Sequence, residues 1–255
     1  MTTTGPIALD ADGHVHEENI LFSEYLDPAY RDRTGGWELN ADSNRRFVVD
    51  GIEHPPFPRE ISVRKPMTAE NRLKVLDKER IRLAVLFPSA ALVAGYLEPG
   101  FAAAMMRAYN SWISDWCRPF SDRLKFAASV ALFDVDEAIR EARRAVGDLG
   151  AVAVTVRPNP ALGQRLDHPS REPFYAAVAE LGVPLVVHES TGDPSTAGGE
   201  RYGGMAVPES YTFNHEGGIL RGRVFLGALL DRPSRRPFRT SQAWPLHDRA
   251  GPQTQ

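Results

Sequence analysis

Residues 126–188 read FAASVALFDVDEAIREARRAVGDLGAVAVTVRPNPALGQRLDHPSREPFYAAVAELGVPLVVH. Three short apolar runs punctuate this stretch, at 126–132, 152–156 and 183–187. Each is apolar at consecutive rather than alternate positions, the pattern of strands covered on both faces. Between them lie helical patterns with their own punctuation. Asp134 is placed to cap a helix over Ala138, Ile139, Ala142 and Val146, with Gly147 or Gly150 to end it. Ser170 is placed to cap another over residues 174–181, with Gly182 as its stop. Strand, helix, strand in repetition, with short connections, predicts an α/β fold with a parallel sheet, either a barrel or an open doubly wound sheet.

Working outward, residues 83–87 (LAVLF) repeat the signal and stop at Pro88, and residues 7–9 (IAL) lead into DADGH at 10–14. Thr68 precedes a helical pattern through Leu73 and Leu76, and residues 101–116 carry Met105, Ala108, Trp112 and Trp116 at helical spacing. Two stretches break the alternation. Residues 17–66 are too long for an ordinary connection and read as a functional insertion after the first strand. Residues 190–210, rich in Gly, Pro, Ser and Thr, read as a mobile loop. Residues 1–232 are expected to form one domain, and 233–255, rich in Arg and Pro, a divergent disordered tail.

Composition narrows the function classes. Of the 255 residues, 42% are hydrophobic and 25% charged, as in globular proteins. Thirty Lys and Arg against 33 Asp and Glu leave a net charge of -3, so no basic excess calls for nucleic acid or an anionic membrane. The single cysteine, Cys117, excludes a disulfide framework and reads as a packing thiol. No apolar run reaches the ~18 residues of a membrane span, and residues 1–10 lack the cationic start and apolar core of a secretion signal. The expectation is a cytoplasmic protein acting on a small molecule. Glycine-rich nucleotide loops, a nucleophile elbow, H-E-x-x-H and C-x-x-C are all missing from the sequence.

Chemistry is concentrated at predicted strand ends. In DADGHVHE, residues 10–17, alternate side chains project the same way, so Asp12, His14 and His16 can line one mouth. Carboxylate and imidazole are the usual ligands of Zn²⁺ and related divalent metals; the competing reading is a polar turn. His188 ends the fifth run, where α/β proteins place site residues; alone, a core histidine would explain it. Arg157 follows the fourth run and suits a substrate carboxylate, with a rim salt bridge as the alternative. His168 reads as a turn residue, and His54, His215 and His247 lie in less constrained contexts.

Four blocks together resemble the amidohydrolase superfamily, in the amidohydrolase-related branch that includes aminocarboxymuconate-semialdehyde decarboxylase. They are DADGHV (10–15), RLKVLDKERIRLAVLFP (72–88), the segment from AYNSW (108–112) through RLK (123–125) to RPNP (157–160), and PF (173–174) through VPLVVH (183–188). The resemblance implies an incomplete TIM-like (β/α) barrel, with about five of eight strands recognisable. It also implies one catalytic divalent metal, usually Zn²⁺, and a hydrolase or decarboxylase acting on a small carboxylated or aromatic compound. By position it implies Asp12 with His14 as the first-strand ligands, or His14 with His16 in the alternative register, and His188 from the fifth strand. The likeness fades after residue 232. Strands six to eight, an Asp ligand and a second catalytic His are therefore expected to be missing, as in a truncated chain, with weak metal binding and poor turnover. The open strand edges would then invite a partner, such as a second copy of the chain. Two alternatives stand: an inactive fragment or binding domain of the same fold, and an unrelated α/β ligand-binding domain without metal.

Overall fold

The computed structural model describes residues 8–17, 24–39, 45–49, 52–53, 68–89, 91, 94, 97–157, 161–164, 166 and 168–188. The expected mobile loop at 190–210, the tail at 233–255, His54, His215 and His247 lie outside these residues.

Strand β1 spans Ala8–His14. Within the stretch read as an insertion, β2 (Thr34–Leu39), β3 (Arg45–Val49) and β4 (Ile52–Glu53) form a small antiparallel sheet that the sequence reading did not anticipate. Helix α1 (Ala69–Lys78) starts where Thr68 Oγ1 accepts the Asn71 N–H at 3.3 Å. It leads into β5 (Ile81–Phe87). Helix α2 (Pro99–Cys117) is capped by Glu98, whose carboxylate accepts from the amides of Gly100 and Phe101. Then follow β6 (Leu124–Ser129), α3 (Val135–Gly147), β7 (Ala153–Val156), α4 (Glu172–Leu181) and β8 (Leu185–Val187). Asp134 Oδ1 accepts from Glu137 N at 3.0 Å to start α3. Gly182, at φ 70°, supplies the left-handed turn that ends α4. The expected cap of α4 is displaced: a 3₁₀ turn, Pro169–Arg171, precedes it, and His168 Nδ1 accepts from Ser170 N at 3.2 Å to start that turn.

The large sheet runs β1-β5-β6-β7-β8, every pair parallel. Neighbours in space are neighbours in sequence, as right-handed βαβ units dictate. The sheet is curled into a half-barrel, and side chains alternate between its two faces. Outside, Leu76, Leu86, Phe101, Met105, Tyr109, Leu124 and Phe126 pack with the helices, and Val154, Phe174, Val178 and Leu185 form a second cluster. Fully burying such a side chain contributes roughly 1.5–3 kcal/mol. Inside, Phe87, Ala127, Ala153 and Val186 form the concave lining. At the end of β6, Asn110 of α2 binds the Ser129 backbone. The Asn110 side chain accepts from Ser129 N and donates to Ser129 O, both at 2.9 Å. The strand mouths thus open on one side of the sheet, in front of the inner face.

Candidate metal centre

The centre begins with a kink in β1. Its register against β5 shifts between Asp10 and Gly13. Asp10 consequently turns toward α1, where it pairs with Arg72 at 3.6 Å. Asp12 and His14, two residues apart, share the other face. Arg72 also donates to the His14 carbonyl at 3.3 Å, tying the strand end to the helix. Glycine is needed at position 13 for space: a Cβ there would stand 2.7 Å from Arg72 Nη2 and 2.9 Å from Asp10 Oδ2.

His188 arrives from the far edge of the sheet. Its N–H donates to Val156 O at 3.0 Å, continuing the ladder one residue past β8. Its side chain follows Val186 onto the inner face and is buried. Four inter-strand spacings separate β1 from β8, so a flat sheet would hold them roughly 19 Å apart. Instead His188 Nε2 lies 3.1 Å from His14 Nε2 and 3.3 Å from Asp12 Oδ1. The curl of the sheet is what brings the three residues together.

These three residues offer one carboxylate oxygen and two imidazole nitrogens, all within 4.8 Å of one another. Donors around one tetrahedral Zn²⁺, at ~2.0–2.1 Å each, stand roughly 3.3 Å apart, so the spacing fits a shared divalent ion. Orientation fits as well. His14 Nδ1 lies 2.9 Å from the Pro88 carbonyl, which can only accept, so Nδ1 carries the hydrogen and Nε2 presents its lone pair to the centre. The Phe87 ring stacks on His188 at 5.2 Å and restrains its plane. Burial opposes ionisation of Asp12, but the hydrogen bond from His188 and the electrostatic pull of the neighbouring imidazoles outweigh it and hold its carboxyl below the usual range. Burial and the neighbouring His188 push the His14 imidazole below its ordinary value, keeping it in the neutral form a metal requires.

Of the sequence candidates, Asp12, His14 and His188 converge. His16, two residues beyond β1, is not in that group. Arg157 lines the adjoining pocket, whose empty space is about 650 Å³ counted out to its open mouth. His188 belongs to its lining, and Ala91, Ala94, Met106, Leu132 and Phe133 supply apolar wall.

Sequence reasoning passed over several participants. Glu17 is fully buried, and its Oε1 accepts from the amides of Ser89 and Ala91 at 3.0 Å each, fixing the loop after β5. Its place directly after the metal-type cluster was the only signal. Ser129, Thr155 and Arg171 line the pocket, and nothing in their local sequence marks them.

The family model for amidohydrolases matches residues 11–216. A gamma-resorcylate decarboxylase of Rhodococcus jostii (strain RHA1) is 30% identical over 125 residues, covering 46% of this chain and 38% of that protein. A 2-keto-4-carboxy-3-hexenedioate hydratase of Sphingobium sp. (strain NBRC 103272 / SYK-6) is 27% identical over 155 residues, covering 55% of this chain and 44% of that protein. The crystal structure of a dihydroxybenzoic acid decarboxylase from Polaromonas sp. JS666, with bound manganese and the inhibitor 2-nitroresorcinol, has the same fold. The TM-score is 0.64 at 20% identity, over 89% of this chain and 62% of that one. The matched regions therefore span about two fifths of the curated relatives' length.

Proposed function

The chain belongs to the amidohydrolase family, and from that premise we propose that it is a metal-dependent decarboxylase of a small aromatic carboxylate. Asp12, His14 and His188 are the proposed ligands of one divalent cation, and Arg157 the proposed partner of the substrate carboxylate. The observation that carries the reading is the approach of His188 Nε2 to His14 Nε2 and Asp12 Oδ1, at 3.1 and 3.3 Å, beside a pocket that contains a guanidinium. Zn²⁺ is the proposed ion, suited to two imidazoles; the manganese of the Polaromonas structure makes Mn²⁺ the direct comparison. The same reading places the chain in the cytoplasm, where a lone thiol such as Cys117 stays reduced.

When bound, the cation supplies positive charge that fixes acidic oxygens of the substrate and favours their deprotonated form. The remaining work falls to the chain. His14 is held in one tautomer by the Pro88 carbonyl. Arg157 sets the carboxylate in register by bidentate geometry. The apolar wall of Met106, Leu132 and Phe133 takes a flat ring and keeps water from it. The hydratase relative favours a second reading, addition of water to an unsaturated carboxylate, which would use the same donors and the same arginine.

The test is to load the purified chain with Zn²⁺ or Mn²⁺, measure bound metal, and follow CO₂ release from 2,6-dihydroxybenzoate. One ion per chain with metal-dependent release is expected. Bound metal without release of any kind moves the chain to the binding-domain reading, and no bound metal overturns the proposal.

A further inference from the structure

Arg171 is 2% exposed and sits in the 3₁₀ turn before α4. Its Nη1 donates to the Leu132 carbonyl after β6, and its Nη2 to the Ala161 carbonyl at 3.2 Å. Its Nε is buried and has no hydrogen-bond partner among the described residues. Among the described residues no carboxylate pairs with it, and the pocket lining contains Arg157 and Arg171 but no Asp or Glu. Thr155 is 3% exposed, lines the same pocket, and has a buried hydroxyl oxygen that is also without a partner.

A purely structural role explains only part of this. Two carbonyl bonds staple the loops after β6 and β7 and account for Nη1 and Nη2. They leave Nε unused and the charge uncompensated, and a buried charge without a counter-ion is strongly destabilising. Such an arrangement persists when a ligand provides the missing charge. An anion with several acceptor oxygens would satisfy the guanidinium and the Thr155 hydroxyl together.

We propose that Arg171, with Thr155, forms a second anion subsite, so that the pocket selects planar compounds carrying two carboxylates. One carboxylate meets Arg157 near the metal ligands, and the other meets Arg171. This rests on the reading of the pocket as a carboxylate site and adds to it the number of charges the ligand carries.

Three probes separate the possibilities: benzoate, isophthalate and 3-carbamoylbenzoate, in which a neutral amide replaces the second carboxylate. Their binding is measured by calorimetry on the metal-loaded and the chelator-treated chain. Isophthalate should bind about tenfold or more tightly than 3-carbamoylbenzoate, as a charge-assisted hydrogen-bond pair implies. Arg171→Met should bring the two within about twofold, and Arg171→Lys should keep part of the preference. If Arg171→Met does not fold, Thr155→Val carries the variant arm, with a smaller loss of preference expected. Equal binding of isophthalate and 3-carbamoylbenzoate to the unaltered chain overturns the proposal with no variant needed, as does a preference that survives Arg171→Met. An isophthalate preference in a chain that binds no metal sustains this subsite while the metal reading fails. Metal binding without that preference does the reverse.

Discussion

His14 Nε2 lies 3.1 Å from His188 Nε2, although 174 residues separate the two in sequence. With the hydrogen of His14 committed to the Pro88 carbonyl, any hydrogen in that gap comes from His188 Nε2, which Asp12 Oδ1 also faces at 3.3 Å. A cation held as proposed would replace this hydrogen bond with bonds to both nitrogens. His188→Ala should therefore lower Zn²⁺ or Mn²⁺ affinity by more than the ~10–100-fold typical of losing a mere supporting contact. His16→Ala should leave the affinity within about twofold. Equilibrium dialysis of the two variants decides between the two ligand registers.

Gly13→Ala would force Arg72 Nη2 and Asp10 Oδ2 aside, since both stand under 3.0 Å from the new methyl. The cost should be about 1–3 kcal/mol, the usual range for overpacking. Because Arg72 is the closest atom, Arg72→Ala should relieve much of it. Urea titration of both single variants and the double variant should then show clear non-additivity. Simple additivity would mean that the backbone, not Arg72, absorbs the methyl.

Asn110→Ala removes both bonds that hold Ser129, and its donation to Glu141 at 2.7 Å. Two backbone groups and a carboxylate lose partners inside the core, so a loss of about 2–3 kcal/mol is expected by chemical denaturation. Asn110→Asp, nearly identical in shape, should be no better. Its oxygen would face the Ser129 carbonyl and the Glu141 carboxylate.

Burial pushes the Cys117 thiol up to about 12. Folded, the group stays protonated where an unfolded thiol ionises. Its contribution to stability is complete below the ordinary value of ~8.5 and is lost as pH climbs from there toward the folded value. Iodoacetamide should label the native chain slowly, its rate still climbing about tenfold per pH unit above ~pH 8.5, and should label the urea-unfolded chain at one site with a rate that levels off there. Mass spectrometry reads both.

How much of this was legible from the residues depends on range. Strands β5, β6, β7 and β8 were marked by the apolar runs at 83–87, 126–132, 152–156 and 183–187, which overlap them with ends shifted by up to three residues, and Thr68, Asp134 and Gly182 announced helix ends through local chemistry, so neighbouring residues sufficed. Asp12, His14 and His188 were legible because metal-type residues stood at the ends of two separate apolar runs, a coincidence that neither run would carry alone. The kink that sends Asp10 outward to Arg72 was not legible, since it depends on register against β5. Nor was the role of Asn110, which looks like any polar residue in a helix until Ser129 is set beside it. Nothing in the local sequence marks Arg171, whose guanidinium is held by carbonyls of the loops after β6 and β7. The antiparallel strands within 17–66 were missed because charges, glycines and prolines there mask any alternation.

Each strand of the large sheet lies beside the one that precedes it, so the sheet can lengthen in the order the chain is made. Two of the three donors belong to the first strand and the third follows the last described strand. A partly assembled sheet thus holds an incomplete claw, and only the finished curl closes it. An ion gripped by all three donors would act as a clasp on that final closure, adding about 2.7 kcal/mol at a concentration one hundred times its dissociation constant. Metal occupancy would then report that the whole arc has been built, and chelation would loosen the seam between its first and last strands before any other part.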